Sequence, residues 1–235
     1  MNINNTEKHI TMDKLKVLCW NIRHCMKDDK TIDVFAFMHE IAKADVDVIL
    51  LQEVDRGASR SQGIDQVIAI RNALGSGWVP VFSKRLDMNP GTYGLAAFSK
   101  LPILSAKSYL LSDLKKEKGV LQEIIVEFDG GPVKIYNVHM PAGRGHHVHR
   151  AWKQLSRVPT TGDCIFGGDF NSHRHTLNEC FDIGTQDTHC NEGRIDYCVS
   201  SGNLKPIEQV VINRRLSDHF PFITTFAKTF DNLSI

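Results

Sequence analysis

The sequence predicts an α/β fold in which two β-sheets pack face to face with helices on their outer faces. Three observations predict it. The N-terminal part reads β-α-β-α, a long succession of strand patterns follows, and a helix–strand pair then precedes further strands. No composition break marks a linker and no repeat is visible. A frayed tail at 1–13 and a single domain at 14–230 are therefore expected. A chain of 235 residues can bury a large core without staples.

The elements follow in order. Leu15-Lys16-Val17-Leu18-Cys19-Trp20-Asn21 reads as a strand with Val17, Cys19 and Asn21 on one face and Leu18 and Trp20 on the other. Both faces are largely apolar, which predicts a central strand buried on both sides. Over 31–43, Ile32, Phe35, Met38 and Ile41 recur at helical spacing. Val46 to Glu53 is a second strand of the buried type, and a helix over 64–74 closes at Gly75-Ser76-Gly77. Strands are expected near 78–82, 94–99, 103–110, 120–128 and 132–140. Leu101-Pro102 punctuates one pair, and Asp129-Gly130-Gly131-Pro132 signals a hairpin. A helix near 146–157 leads into Ile165-Phe166-Gly167-Gly168-Asp169. A polar, His-rich loop covers 172–192, and strands near 195–200, 207–212 and 221–227 finish the chain.

Composition narrows the class. Hydrophobic residues make up 42% and charged residues 23%, as in an ordinary globular protein, which excludes a disordered or fibrous chain. The formal net charge is +1, so no global basic field marks a non-specific nucleic-acid binder, and any anion site is local. No apolar run is long enough to span a membrane. The polar N-terminus lacks the apolar core of a secretory signal, so a cytoplasmic monomer with free thiols at its six cysteines is expected.

Polar residues stand at the ends of apolar strands. Asn21 ends the first, Glu53 the second, and Asn137 and His139 share a face with Val133 and Ile135. Asp169 and Asn171 follow Ile165-Phe166-Gly167-Gly168, with Phe170 turned to the opposite, core side. Asp196 interrupts Ile195 and Tyr197, and Asp218-His219 precedes Phe220-Pro221-Phe222. Each alone reads as a turn or cap residue. Six strand ends delivering Asn, Asp, Glu or His together read as a site, because burying such groups is costly unless they bind one another, a metal or an anion.

In these motifs the chain resembles the endonuclease/exonuclease/phosphatase superfamily of metal-dependent phosphoesterases related to deoxyribonuclease I. The matching segments are Trp20-Asn21, Leu51-Gln52-Glu53-Val54, Tyr93-Gly94 to Ser99-Lys100, Asn137-Val138-His139, Gly168-Asp169-Phe170-Asn171, Arg194-Ile195-Asp196-Tyr197 and Leu216-Ser217-Asp218-His219-Phe220-Pro221, in the family's order over 17–222. Leu95 stands where many relatives carry Asn. The resemblance implies a four-layer α/β sandwich of two mainly antiparallel mixed sheets, with the site at one end of both.

It also implies roles. Glu53 is expected to hold Mg²⁺, with Mn²⁺ as the alternative. Asn21 would supply a neutral oxygen or an outer contact, and Asp218 a carboxylate to the metal or its waters. Asp169 is expected to orient or deprotonate the attacking water, and Asn171 to donate to the phosphorus oxygens. His219, paired with Asp196, is a charge clamp or the base, and the choice between Asp169 and His219 stays open. His139 falls at a phosphate-contacting or leaving-group position. Tyr93 of the matching Gly-rich segment is expected to contact substrate; apart from the resemblance, Arg144 in the basic segment after His139 is expected to bind phosphate, joined by Arg56 and Arg60 just after Glu53. The segment Pro141 to Arg150 reads as a basic clamp as readily as a solvated loop. The histidines and cysteines of 172–192 match no standard zinc spacing and read as a site rim. The expected substrate is a phosphate ester. Nucleic acid is favoured over a phospholipid, sugar phosphate or small nucleotide, and an inactive binding module is disfavoured because the polar set is intact.

Overall fold

The computed structural model describes residues 13–111, 119–177 and 179–229; the expected tail at 1–13 lies almost wholly outside them. Eleven strands and three helices are described: β1 (Lys14–Asn21), α1 (Val34–Lys43), β2 (Val48–Arg56), α2 (Gln66–Leu74), β3 (Val79–Asp87), β4 (Thr92–Ser99), β5 (Ile103–Leu110), β6 (Val120–Phe128), β7 (Gly131–His139), α3 (His146–Leu155), β8 (Cys164–Asp169), β9 (Asp196–Ser201), β10 (Leu204–Val211) and β11 (Phe222–Lys228). Every element read from the sequence is present, and β3 runs five residues further than expected.

A six-stranded sheet has the order β10-β11-β1-β2-β4-β3, and a five-stranded sheet the order β5-β6-β7-β8-β9. Only β1–β2 and β7–β8 are parallel among the ladders that join these strands. Alternation along β1 decides which layer each residue enters. Val17 and Cys19 face Ile124, Ile135 and Ile165 of the other sheet, whereas Leu18 and Trp20 pack under Phe37, Ile41 and Ile70 of α1 and α2. Trp20 stacks on Phe37 with centroids 4.9 Å apart. On the far side, Ala151 and Leu155 of α3 pack on Tyr136, Phe166 and Phe170. The layers are therefore helix, sheet, sheet, helix, the four-layer sandwich the family resemblance implied.

Asp33 caps α1 by accepting from Ala36 N, and Asp65 caps α2 by accepting from Val67 N and Ile68 N. Where the two sheets approach most closely the sequence carries glycine. A Cβ on Gly167 would come within 2.7 Å of Cys19 Sγ and 2.8 Å of Leu50 Cδ1. All six cysteines are free. No helix of the described residues is long and apolar enough to cross a membrane.

Candidate active site

Strand register assembles the site at one end of both sheets. In the five-stranded sheet His139 lies opposite Asp169, and Asp169 opposite Asp196, so three neighbouring strands carry a polar row. In the six-stranded sheet β1 ends at Asn21, and antiparallel β11 starts at Phe222, just after Asp218 and His219. Glu53 reaches the same end by a bulge. Leu51 pairs with Ala96 and Val54 with Gly94, so Gln52 and Glu53 together oppose Leu95, and Glu53 takes a positive φ of 59°. Gln52 turns inward and donates to Asn137 Oδ1 at 2.7 Å, between the sheets.

Asn21 ties the two sheets together. Its Nδ2 donates to Asp169 Oδ2 at 3.0 Å and to Glu53 Oε1 at 3.2 Å, while its oxygen accepts from Arg23 N at 3.0 Å. Next to Asp169, His219 presents Nε2 at 3.7 Å and His139 presents Nε2 at 3.6 Å. His219 Nδ1 faces Asp196 Oδ2 at 2.9 Å, and Asp196 also accepts from Thr188 Oγ1 at 2.7 Å. Trp20 Nε1 donates to the His219 carbonyl. Asn171 adopts a positive φ of 47°, its N–H donates to Asp169 Oδ1 at 2.8 Å, and its Nδ2 donates to Met140 O, which leaves one amide hydrogen uncommitted.

Electrostatics sort these groups. Burial opposes charge on His219, but Asp196 and Asp169 outweigh it and raise its pKa to about 10, so it is an imidazolium at neutral pH. Burial of Asp169 raises its carboxyl; His219 pulls against that, and Asp196 reinforces it. Burial, with the Arg85 guanidinium beside it, lowers His139 to about 3 and keeps it neutral. Burial works against the charge of Glu53, yet His24 and Asn21, which face its carboxylate, prevail and hold it at about 2.

These residues fit a divalent cation. Asp169, Asp196 and His219 bring donor atoms within 4.8 Å of one another, as do His189, Asp218 and His219. Glu53 belongs to neither group and stands across the Asn21 amide from Asp169, ionised and a quarter exposed. His24 Nδ1, 3.8 Å from Glu53, is a buried nitrogen with no hydrogen-bond partner. Four carboxylates thus crowd one end of the fold, with the His219 imidazolium and Arg23, 3.2 Å from Asp218, as nearby positive charges. Hard oxygen donors in excess of positive charge suit Mg²⁺ or Mn²⁺.

The residues expected to bind substrate divide. Tyr93 is buried beside the cluster, with Arg60 over its ring at 4.9 Å and Arg85 at 5.8 Å. Arg56 stands outside the network, paired at 2.7 Å with Asp65, the α2 cap. Arg144 is exposed in the loop before α3, and among the described residues no hydrogen bond or ion pair joins it to the cluster. Sequence reasoning missed Arg85, whose Nη1 lies 3.0 Å from His139 Nδ1. The signal was present: the Asn89-Pro90-Gly91 turn places a hairpin there, and carrying the β3 pattern through to it puts Arg85 on a strand next to Tyr93. It also missed Thr188 and the edge-on contact of His189 with His219, 4.6 Å between ring centroids, although the rim reading of 172–192 covers both.

Comparison with known proteins agrees with this architecture. The curated inositol phosphosphingolipids phospholipase C of Schizosaccharomyces pombe is 27% identical over 190 residues, covering 71% of this chain and 42% of that protein. The chain therefore spans about two fifths of the curated relative it matches. An endonuclease/exonuclease/phosphatase from Beutenbergia cavernae superposes with a TM-score of 0.74 at 17% identity, over 92% of this chain and 72% of that one. A mannosyl-6-phosphatase from Bacteroides thetaiotaomicron superposes with a TM-score of 0.68 at 16% identity, over 91% and 99%. These structural likenesses carry the fold. The family model described as Endonuclease/Exonuclease/phosphatase family matches residues 18–219. That span runs from Trp20-Asn21 to Asp218-His219 and holds the whole polar cluster, so the chain belongs to the endonuclease/exonuclease/phosphatase family, whose members hydrolyse phosphoric esters.

Proposed function

We propose that this protein hydrolyses phosphodiesters with the help of a divalent cation, Mg²⁺ in the first instance, held at Glu53 with Asp218 and Asn21 in support. One observation carries the reading. A continuous polar chain runs from Glu53 through Asn21 to Asp169, and from Asp169 through His219 to Asp196. When bound, the cation would polarise a phosphate oxygen and steady the leaving oxygen.

The chain's own groups do the rest. Asp169, its carboxyl raised by burial, is the group suited to take a proton from water, and the Asn171 N–H and Asn21 amide hold its orientation. Asp196 and Asp169 favour the charged form of His219, which suits it to the charge clamp on the phosphate. Asp196 also fixes the orientation of its ring. Asn171 offers its remaining amide hydrogen to a phosphorus oxygen, and neutral His139 offers a hydrogen bond on the leaving side.

The sequence favours nucleic acid as the diester, and the basic loop at 141–150 supports that reading. A lipid headgroup is the second reading, favoured by the 27% identity to a protein named a phosphosphingolipid phospholipase C. The protein is taken to act as a cytoplasmic monomer. A panel of single- and double-stranded DNA, RNA, sphingomyelin and bis-p-nitrophenyl phosphate, each with Mg²⁺, Mn²⁺ and EDTA, tests the proposal. Hydrolysis of at least one diester that EDTA abolishes is expected. Full activity in EDTA, or no diester cleaved, overturns it.

A further inference from the structure

Four arginines lie on β2, β3 and the turns that follow β1 and β2, and three of them are neutralised. Arg23 pairs with Asp218 at 3.2 Å, Arg56 with Asp65 at 2.7 Å, and Arg60 with Asp55 through two bonds of 2.8 Å. Arg85 differs. Among the described residues no carboxylate lies within 4 Å of its guanidinium, and its Nε is buried without a hydrogen-bond partner. It rests against neutral His139 and near the face of Tyr93. A half-buried guanidinium that lacks both a counter-charge and a partner for one donor is costly to hold, unless an anion completes it during function.

A cleft of about 380 Å³ opens beside Arg85, lined also by Lys84, Asp87, Ser108, Tyr109 and Val120. Val120 is the cross-strand partner of His139, so the cleft abuts the reaction centre. Glu53, Asp169 and His219 do not line it. Lys84 is tied to Asp87 at 2.8 Å, which leaves Arg85 as the cation available there. The scissile phosphate has its own positive partner in His219.

We propose that Arg85 and this cleft hold a second phosphate on the substrate, one group away from the ester that is cleaved. The inference rests on the phosphodiester reading of the same site and narrows it to doubly phosphorylated substrates. A planar guanidinium with parallel donors suits a phosphate in this place. The second phosphate can come from the next link of a nucleic-acid strand or from a phosphorylated headgroup.

The test compares two substrate pairs: a dithymidine monophosphate with and without a terminal 5′-phosphate, and glycerophosphoinositol with and without a ring phosphate. For one pair the wild-type protein should prefer the doubly phosphorylated member at least tenfold in kcat/KM. In Arg85→Gln that preference should fall to about one whatever the absolute rates, and Arg85→Lys should keep part of it. Which pair responds identifies the source of the phosphate. Hydrolysis of both pairs without preference, or a preference unchanged in Arg85→Gln, overturns the proposal. If no member of either pair is cleaved, the phosphodiester reading fails for these substrates. Arg85 is then judged by calorimetric binding of inorganic pyrophosphate without metal. Binding at least tenfold weaker in Arg85→Gln than in the wild type supports the anion site, and equal binding overturns it.

Discussion

A single amide nitrogen, Asn21 Nδ2, serves carboxylates carried by both sheets, and the consequences at residue scale follow from that bond pattern. Glu53→Gln keeps the side chain's shape and its bulge but removes the charge a cation needs. Activity should fall by about 10²-fold or more, with an unchanged melting temperature and weaker Mg²⁺ binding by titration. Equal metal affinity and turnover would remove Glu53 from the metal role. His219→Ala and Asp196→Asn should each reduce turnover by about 10²-fold or more, and the double variant should lose less than the product of the two, because the groups act as one unit. The pH profile carries a sign as well. Asp196 is the largest influence raising His219, so Asp196→Asn lowers that pKa from about 10. The alkaline limb of kcat should then begin at lower pH than in the wild type, and an unmoved limb would separate the two residues. These positions stood out in the sequence only as a set, because each Asp or Asn alone reads as a turn or cap residue while six strand ends delivering such groups do not. Arg85 was overlooked although the turn after β3 marks its strand, because an arginine on a half-exposed strand reads as ordinary surface until its missing counter-ion is seen.

At the scale of elements, alternation read from the chain placed β1, β7 and Phe170 on the correct faces without help. It failed at β2. A period of two puts Glu53 on the face of Leu51, and only the two-for-one pairing against Leu95 turns it toward the site. The extent of β3 was missed for a related reason. Lys84 and Leu86 straddle a register irregularity with Arg85 inside it, so the hydrophobic alternation stops before the strand does. Gly167 shows what the approach of the sheets demands. Gly167→Ala places a methyl 2.7 Å from Cys19 Sγ, too close without a shift of β1 or β8. A loss of about 1–3 kcal/mol is expected, read as a lower midpoint in urea with an unchanged slope. The rim loop has its own tether. Burial opposes charge on Asp182, but His175 and Arg194 overcome it and hold its carboxyl below the usual range. A depressed carboxyl contributes stability above about pH 4 and loses it as pH falls further. Asp182→Asn should therefore lower stability at neutral pH by about 1–3 kcal/mol and flatten the acid limb of a stability–pH curve; parallel curves would show that the tether contributes nothing.

For the whole molecule, the layers and strand count followed from the sequence, whereas the division of strands between the sheets did not, since adjacency in a sheet is set by long-range pairing. The middle strands β5–β9 form one sheet as a continuous stretch of chain. The other sheet needs both ends of the chain, because β1 lies between β2 and β11, and Lys14 pairs with Ala227. During synthesis β1–β4 thus emerge long before β11, and an unfinished edge at β1 waits for the last strands to appear. The same pairing makes the start of β1 and the end of β11 neighbours. Joining them and reopening the chain at Lys100–Pro102 would give an order in which each sheet is contiguous, first β5–β9 and then β10, β11 and β1–β4. Such a permutant keeps every ladder while shortening the loop that must close between β1 and β11, so it should refold faster than the natural order at similar stability. The route by which this chain is threaded, and not the contacts it ends with, sets how long its edge stays open to a wrong partner.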